Sequence, residues 1–261
     1  DRSGAPLPTD PAGAPPVEFC APGMKYQGAG GEAVSGVTLT VPHGATVGVI
    51  GGTGTGKPSL VNLIPGFYPC SSGQVKVDGV DVAGCDKALL RARVAVVPQK
   101  AVLFHGTVRS NLLWGNPNAT DGELWAALET AQAKDFIEKK EGGLDCEVEQ
   151  GGRNFSGGQR QRLTIARALV KKPEILILDD SASALDLATD ARLRKAIAAM
   201  EGGTTVFIVS QRAAAVRGAD AIVVLDDGHV AGIGTHEELL GTCKEYQEIY
   251  YSQFEREEGR A

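Results

Sequence analysis

Short apolar runs separated by polar turns organise the chain: residues 37–41, 46–50, 74–77, 94–97, 175–178, 205–209 and 221–225. Those at 94–97, 175–178 and 221–225 are apolar without alternation, the pattern of strands covered on both faces. Helical stretches are expected at 121–133, 157–170, 188–200 and 236–240, alternating with the later strands. Such alternation implies an α/β sheet with parallel strands at its centre. Between the runs at 94–97 and 175–178 lies a long and mostly helical insert, about 107–170, which is expected to form a subdomain. The tail, residues 244–260, reads as a charged amphipathic helix lying on the surface. Residues 1–16 are rich in Pro, Gly and Ala and carry almost no large apolar groups, so they are expected to be a linker.

Composition narrows the classes. The chain has 261 residues, 43% hydrophobic and 22% charged, the balance of a globular protein rather than a disordered or fibrous one. Lys and Arg number 26 against 32 Asp and Glu, a net charge of −6, so no global basic field exists to hold a nucleic-acid backbone. No apolar run approaches the ~20 residues of a membrane-spanning helix. The cysteines, Cys20, Cys70, Cys85, Cys146 and Cys243, are scattered without the paired spacing of zinc or redox motifs, which suits a reducing compartment. The chain begins Asp1, Arg2, Ser3 and its first methionine is Met24, as expected of a piece of a longer polypeptide.

The candidate chemistry starts at the strand 46–50, which runs into Gly51, Gly52, Thr53, Gly54, Thr55, Gly56, Lys57, Pro58 and Ser59, followed by a helix-compatible segment. Glycines let successive backbone N–H groups point inward around phosphate, and Lys57 can reach the β- and γ-phosphates. An ordinary glycine-rich turn is the alternative reading. Pro58 stands where this pattern carries a hydroxyl, removing a Mg²⁺ ligand and one N–H, while Ser59 offers a hydroxyl one step later. Downstream, the buried run 175–178 ends in Asp179 and Asp180. A carboxylate at a strand's C-terminal edge can hold Mg²⁺ beside a nucleotide, or it can cap the following turn. Upstream of it, Ser156, Gly157, Gly158 and Gln159 open a helix whose Leu163, Ala166 and Leu169 share one side.

With these pieces in this order, the chain resembles the nucleotide-binding domain of an ATP-binding cassette (ABC) transporter over about residues 17–251, and more closely a bacterial exporter of the multidrug and lipid type. The resemblance implies an α/β fold: a P-loop NTPase (RecA-like) core with an antiparallel β subdomain and an inserted α-helical subdomain. It implies ATP and Mg²⁺ as cofactors. Tyr26 matches the aromatic on which the family stacks adenine, a core tyrosine being the alternative. Gln99 matches the glutamine that senses Mg²⁺ and the attacking water. Asp179 matches the metal-binding acid. Ser183, Ala184, Leu185 and Asp186 match the loop by which two cassettes touch, and residues 149–153 sit where exporters carry a segment that signals to the membrane helices. Family cassettes pair head to tail, so that Ser156 to Gln159 of one chain serve the phosphate loop of the other. The implied partners are a transmembrane domain on the same polypeptide and a second half-transporter, at the cytoplasmic face of the cell membrane, and no nucleic acid.

Three positions depart from the family pattern. Asp180 replaces the glutamate that orients the hydrolytic water, Gln211 replaces the switch histidine, and Pro58 replaces the hydroxyl residue. Gln211 can hydrogen-bond a γ-phosphate but cannot take up a proton. His43, His105, His229 and His236 all lie elsewhere and read as structural or surface residues. The resemblance with these departures implies a lobe that binds ATP, hydrolyses it weakly in its own site and lends its signature to a partner, the degenerate half of a heterodimer. The competing readings are a nucleotide-gated dimerisation module without turnover, the ATPase subunit of an importer, and a soluble ABC protein acting on nucleic acid. The acidic balance opposes the last.

Overall fold

The structure is a computed structural model that describes residues 4–8, 13–27, 30–52 and 54–258. In chain order come β1 (Val17–Gly23), β2 (Thr38–Val41), β3 (Thr46–Gly51), α1 (Lys57–Val61), β4 (Ser72–Val77), β5 (Val80–Asp81), α2 (Lys87–Arg93) and β6 (Val94–Val97). The middle of the chain supplies β7 (Gly106–Thr107), α3 (Val108–Leu112), α4 (Asp121–Thr130), α5 (Lys134–Glu138), β8 (Glu147–Val148), α6 (Gly157–Val170), β9 (Ile175–Asp179) and α7 (Leu187–Ala198). The last elements are β10 (Thr205–Val209), α8 (Ala213–Val216), β11 (Ala221–Asp226), β12 (His229–Gly234), α9 (His236–Thr242) and α10 (Lys244–Glu258). The chain divides into two compact units, one of Asp1–Val94 with Gly203–Ala261 and one of Ala95–Gly202.

In the first unit, β2, β1, β4 and β5 form an antiparallel sheet in that order. Phe19 lies opposite Leu39 on one side and Val75 on the other. Its ring also meets Phe207 edge-on at 6.1 Å, which joins this sheet to the parallel strands. There β12, β11, β3 and β10 run in order, with β3 parallel to both β10 and β11. A strand paired on both edges and covered on both faces must be apolar throughout, and Val47 to Gly51 are all buried. At Gly48 a side chain would stand 2.6 Å from Val216 Cβ, so glycine is what lets α8 approach the central strand.

Two expectations are corrected in this unit. The tail is no mere surface helix: Tyr246 of α10 is fully buried in a cluster with Ile50, Val216, Ile222, Val224, Leu239 and Cys243, and Ile249 and Tyr250 pack against it. Exposed Lys244 and Glu248 mark its outward face. Nor are residues 1–16 devoid of burial, because Leu7 is buried and Ala5 N donates to Gly84 O while Ala5 O accepts from Asp86 N. Backbone pairing supplies there what the apolar composition does not.

In the second unit β9 and β6 are neighbours, and β7 pairs antiparallel with β8. Around them stand α3 to α7. Reciprocal capping boxes start α3 at Thr107 and Ser110, α4 at Thr120 and Glu123, and α6 at Ser156 and Gln159. The helix expected over 121–133 ends at Thr130 because Gln132 turns left-handed at φ 61°. The helix expected over 188–200 starts one residue early, capped by Asp186. Strands of both orientations and a largely helical middle segment are the α/β P-loop architecture that the resemblance implied. No helix among the described residues is long and apolar enough to cross a membrane.

Candidate functional site

The glycine loop leaves β3 at Gly51 and enters α1 through Gly56, which is left-handed at φ 88°. A side chain at Gly56 would fall 2.3 Å from Ala33 O, so both backbone angle and space demand glycine. Gly54 is also left-handed and opens onto space. Lys57 is buried, and its Nζ donates to Gly51 O at 2.9 Å and to Gly52 O at 2.7 Å, curling the loop around the ammonium. Thr55 Oγ1 donates to Gly52 O at 2.8 Å, and Thr55 O accepts from Gly228 N at 3.1 Å, tying the loop to the turn after β11. Thr53 lies outside the described residues. The described residues thus hold a cation against the loop backbone ahead of a helix, features of a site for an oligophosphate.

Pro58 sits within the first turn of α1, where it brings neither an N–H nor a hydroxyl. Ser59 does not stand in for it: its side chain is buried and its Oγ shares a 2.7 Å hydrogen bond with Tyr26 Oη. One residue along a helix is a rotation of about 100°, which carries the hydroxyl off the loop's mouth. Tyr26 itself is 44% exposed and meets Tyr68 edge-on at 5.5 Å, so it is no core tyrosine; it presents an open ring beside the loop.

Gln211 follows β10 with an exposed side chain and a fixed backbone. Ser210 N donates to Val49 O at 3.1 Å, and Arg212 N donates to Ser210 Oγ at 3.0 Å. Gln253 of α10 then donates to Gln211 O at 2.7 Å.

The second unit holds the other candidates. Asp179 ends β9, half-buried, and Asp180 follows at φ 49°, a left-handed angle that Asp tolerates better than most side chains. Ser183 N donates to Asp180 O at 3.3 Å, closing the turn that leads to Leu185. Ser156 caps α6, its Oγ accepting from Gln159 N at 3.2 Å while Gln159 Oε1 accepts from Ser156 N at 3.0 Å. A side chain at Gly158 would stand 3.2 Å from Ala184 O, so the signature turn presses directly on the 183–186 loop; at Gly157 the distance is 3.7 Å, to Ala184 Cβ. Gln99 is exposed after Pro98. Residues 149–153 form a short turn with Gly152 buried, in which Arg153 pairs with Glu149 at 3.5 Å.

A residue that motif reading passed over links these pieces. Gln161, buried on α6, donates through Nε2 to Ser183 Oγ at 3.0 Å and to Gln99 O at 3.4 Å, and its Oε1 accepts from Ala184 N at 2.8 Å. The visible signal is its spacing, one turn ahead of Ile165 on the same face of α6. Beyond that turn, Asp186 accepts from Thr189 N at 2.9 Å and from Thr189 Oγ1 at 2.8 Å, and these bonds, backbone first, hold its carboxyl below the usual range. The four histidines carry structural contacts: His229 bonds Ser35, His43 bonds Ala14 O, His236 bonds Tyr246, and exposed His105 lies 3.9 Å from Glu147.

Among the described residues no three His, Cys, Asp or Glu side chains gather as a metal cluster. The half-buried carboxylate of Asp179 at the end of β9 suits a cation that a nucleotide would bring, because Mg²⁺ commonly takes one or two carboxylates and completes its shell with phosphate and water.

Comparison with known proteins agrees with the geometry. The family model described as ABC transporter matches residues 34–183. An uncharacterized ABC transporter ATP-binding protein of Mycobacterium bovis is 42% identical over 231 residues, covering 87% of this chain and 39% of that protein. A beta-(1→2)glucan export ATP-binding/permease protein of Rhodopseudomonas palustris is 41% identical over 246 residues, 94% of this chain and 41% of that protein. Among solved structures, a bacterial Atm1-family ABC exporter with ATP bound superposes with a TM-score of 0.89 at 34% identity, covering 95% of this chain and 43% of that one. The chain thus spans about two fifths of the length of the curated relatives it matches. On the family match and these identities, the chain belongs to the ABC transporter family.

Proposed function

We propose that this chain is the ATP-binding cassette of an exporter, which grips Mg-ATP firmly and hydrolyses it slowly. The observation that carries the reading is a glycine loop into which Lys57 is drawn, in a chain that carries three altered positions in sequence, Pro58, Asp180 and Gln211. The alterations bear on hydrolysis, on metal placement and, at Pro58, on one loop N–H, and none removes Lys57 or the loop glycines.

The loop N–H groups and Lys57 hold the phosphates, and the open face of Tyr26 takes the adenine. Asp179 and Gln99 would hold Mg²⁺, which would supply charge neutralisation to the phosphates. Asp180 orients the attacking water and accepts its proton, from one methylene further back than glutamate would. A displacement of ~1 Å can cost on the order of 10²-fold in rate. Gln211 hydrogen-bonds the γ-phosphate. Ser156, Gly157, Gly158 and Gln159 serve the site of a second half-transporter, which with this lobe forms a heterodimer. A transmembrane domain on the same polypeptide carries the cargo, on the pattern of the export ATP-binding/permease relatives.

The test is Mg-ATPase activity of the chain beside its ATP affinity. Tight ATP binding that Lys57→Ala abolishes, with slow phosphate release, is expected. Robust turnover that vanishes in Asp180→Asn would refute the weakly hydrolytic site.

A further inference from the structure

The C-terminal helix reaches the switch loop through one side chain. Gln253 Nε2 donates to Gln211 O at 2.7 Å, and Gln253 Oε1 accepts from Ala213 N at 2.8 Å, so one amide group clasps the backbone on both sides of Arg212. The second bond occupies the first N–H of α8, a helix whose own N-cap, Arg212, makes no side-chain cap. From the other side, Ser210 is fixed to Val49 of the strand that leads into the phosphate loop. The helix that carries Gln253 is anchored by Tyr246, which is fully buried and bonded to His236 Nδ1 at 2.8 Å. Gln253 and Gln211 are 42 residues apart in sequence, and nothing local demands that they meet.

We propose that Gln253 is a positioning residue for Gln211, through which the C-terminal helix sets how sharply this chain distinguishes nucleoside triphosphate from diphosphate. This rests on the reading above that Gln211 hydrogen-bonds the γ-phosphate. A side-chain amide hydrogen-bonds a phosphate oxygen only within a narrow range of distance and angle, and the carbonyl of Gln211 is one bond from the Cα that aims it. Without the hydrogen bond from Gln253, the switch side chain samples more orientations, and the penalty falls on the ligand that bears a γ-phosphate.

The test measures ATP and ADP affinities of the full chain in Mg²⁺ by titration calorimetry, for wild type, Gln253→Met, Gln253→Glu and Gln211→Ala. Gln253→Met keeps the side chain's length and removes both bonds. It is expected to weaken ATP by on the order of threefold to tenfold, the worth of one neutral hydrogen bond, and to leave ADP unchanged. Gln253→Glu keeps the acceptor for Ala213 N and loses the donor to Gln211 O, so it lowers the ATP preference while α8 stays capped. In a Gln211→Ala background Gln253→Met adds nothing further. If Gln211→Ala lowers the ATP preference and Gln253→Met does not, or if Gln253→Met weakens both nucleotides equally, the positioning role is wrong and Gln253 only packs. If Gln211→Ala leaves the preference untouched, the sensing role of Gln211 is wrong, and the inference goes with it.

Discussion

Replacing Pro58 with serine is the sharpest perturbation of the phosphate loop. In α1 the first intrahelical donor is Leu60 N, bonded to Gly56 O at 3.0 Å, so an N–H at position 58 has no helix partner and stays available at the loop's mouth. Serine restores that donor and adds a hydroxyl. A hydrogen bond to a charged oxygen contributes about 1.5–3 kcal/mol, which is roughly a tenfold to hundredfold gain in affinity. Against it stands the loss of proline's restraint on the unfolded chain, ~0.4–1 kcal/mol, a matter of stability and not of binding. Pro58→Ser is therefore expected to lower the melting temperature by a few degrees while tightening Mg-ATP binding at least tenfold. Pro58→Ala separates the parts, because it restores the N–H alone. Calorimetric titration of both variants, in Mg²⁺ and in EDTA, reads them out. The serine variant should exceed the alanine variant only when Mg²⁺ is present. Equal affinities of the two in Mg²⁺ would refute a metal-directed hydroxyl at this position, and no gain in either would refute the donor.

Asp180→Glu should raise steady-state phosphate release by roughly tenfold to a hundredfold, since it returns the carboxylate about one methylene closer to the water. The left-handed backbone at φ 49° suits Glu less well than Asp, so thermal melting should show a loss of about 1 kcal/mol; unchanged turnover would contradict the role given to Asp180. Gln161→Leu keeps the volume and removes three hydrogen bonds, at an expected cost of about 1–3 kcal/mol by chemical denaturation, together with faster amide exchange at Ala184. Docking of α10 should weaken at both ends of the pH scale. Burial raises the Tyr246 pKa from 10.0 to about 12, so its contribution to stability is complete below 10 and is lost as pH rises towards 12. Burial lowers the His236 pKa below 6.5, so its contribution is complete above 6.5 and is lost as pH falls through the folded value. Stability measured against pH for Tyr246→Phe should show a smaller alkaline fall, the part left being that of buried thiols such as Cys243, and keep the acid one.

The parts legible in the sequence are those whose signal is local. The strand β3, the glycine loop, the buried run of β9 and the capped start of α6 each fit within about ten residues, and α6 spans the same residues that its apolar spacing predicts. The strand β12 escaped because His229–Gly234 holds two glycines and little alternation, and it is defined by pairing with β11. Two-residue strands such as β7 and β8 exist only as partners of each other. The helix α2 did carry a local signal that went unread: Asp86, whose carboxylate accepts from Ala88 N and Leu89 N.

In the candidate site the motif residues were legible by type, but what their side chains touch was not. Ser59 turns to Tyr26, 33 positions away, and Gln161 reaches Ser183, 22 positions away, and Gln99, 62 positions away. No periodicity marks such partners, because each depends on how separate loops are brought together. The burial of Tyr246 was hidden for a related reason. A helix rich in charge shows its wet face in composition, and its dry face appears only where a core cluster receives it.

The central claim is that this lobe grips nucleotide and seldom cuts it. The most direct measurement incubates the chain with Mg-ATP, separates it from unbound nucleotide, and identifies what remains bound. Unhydrolysed ATP retained by the wild type and absent from Lys57→Ala is the expected result. Bound ADP in large excess over ATP, reverting to ATP in Asp180→Asn, would contradict the account.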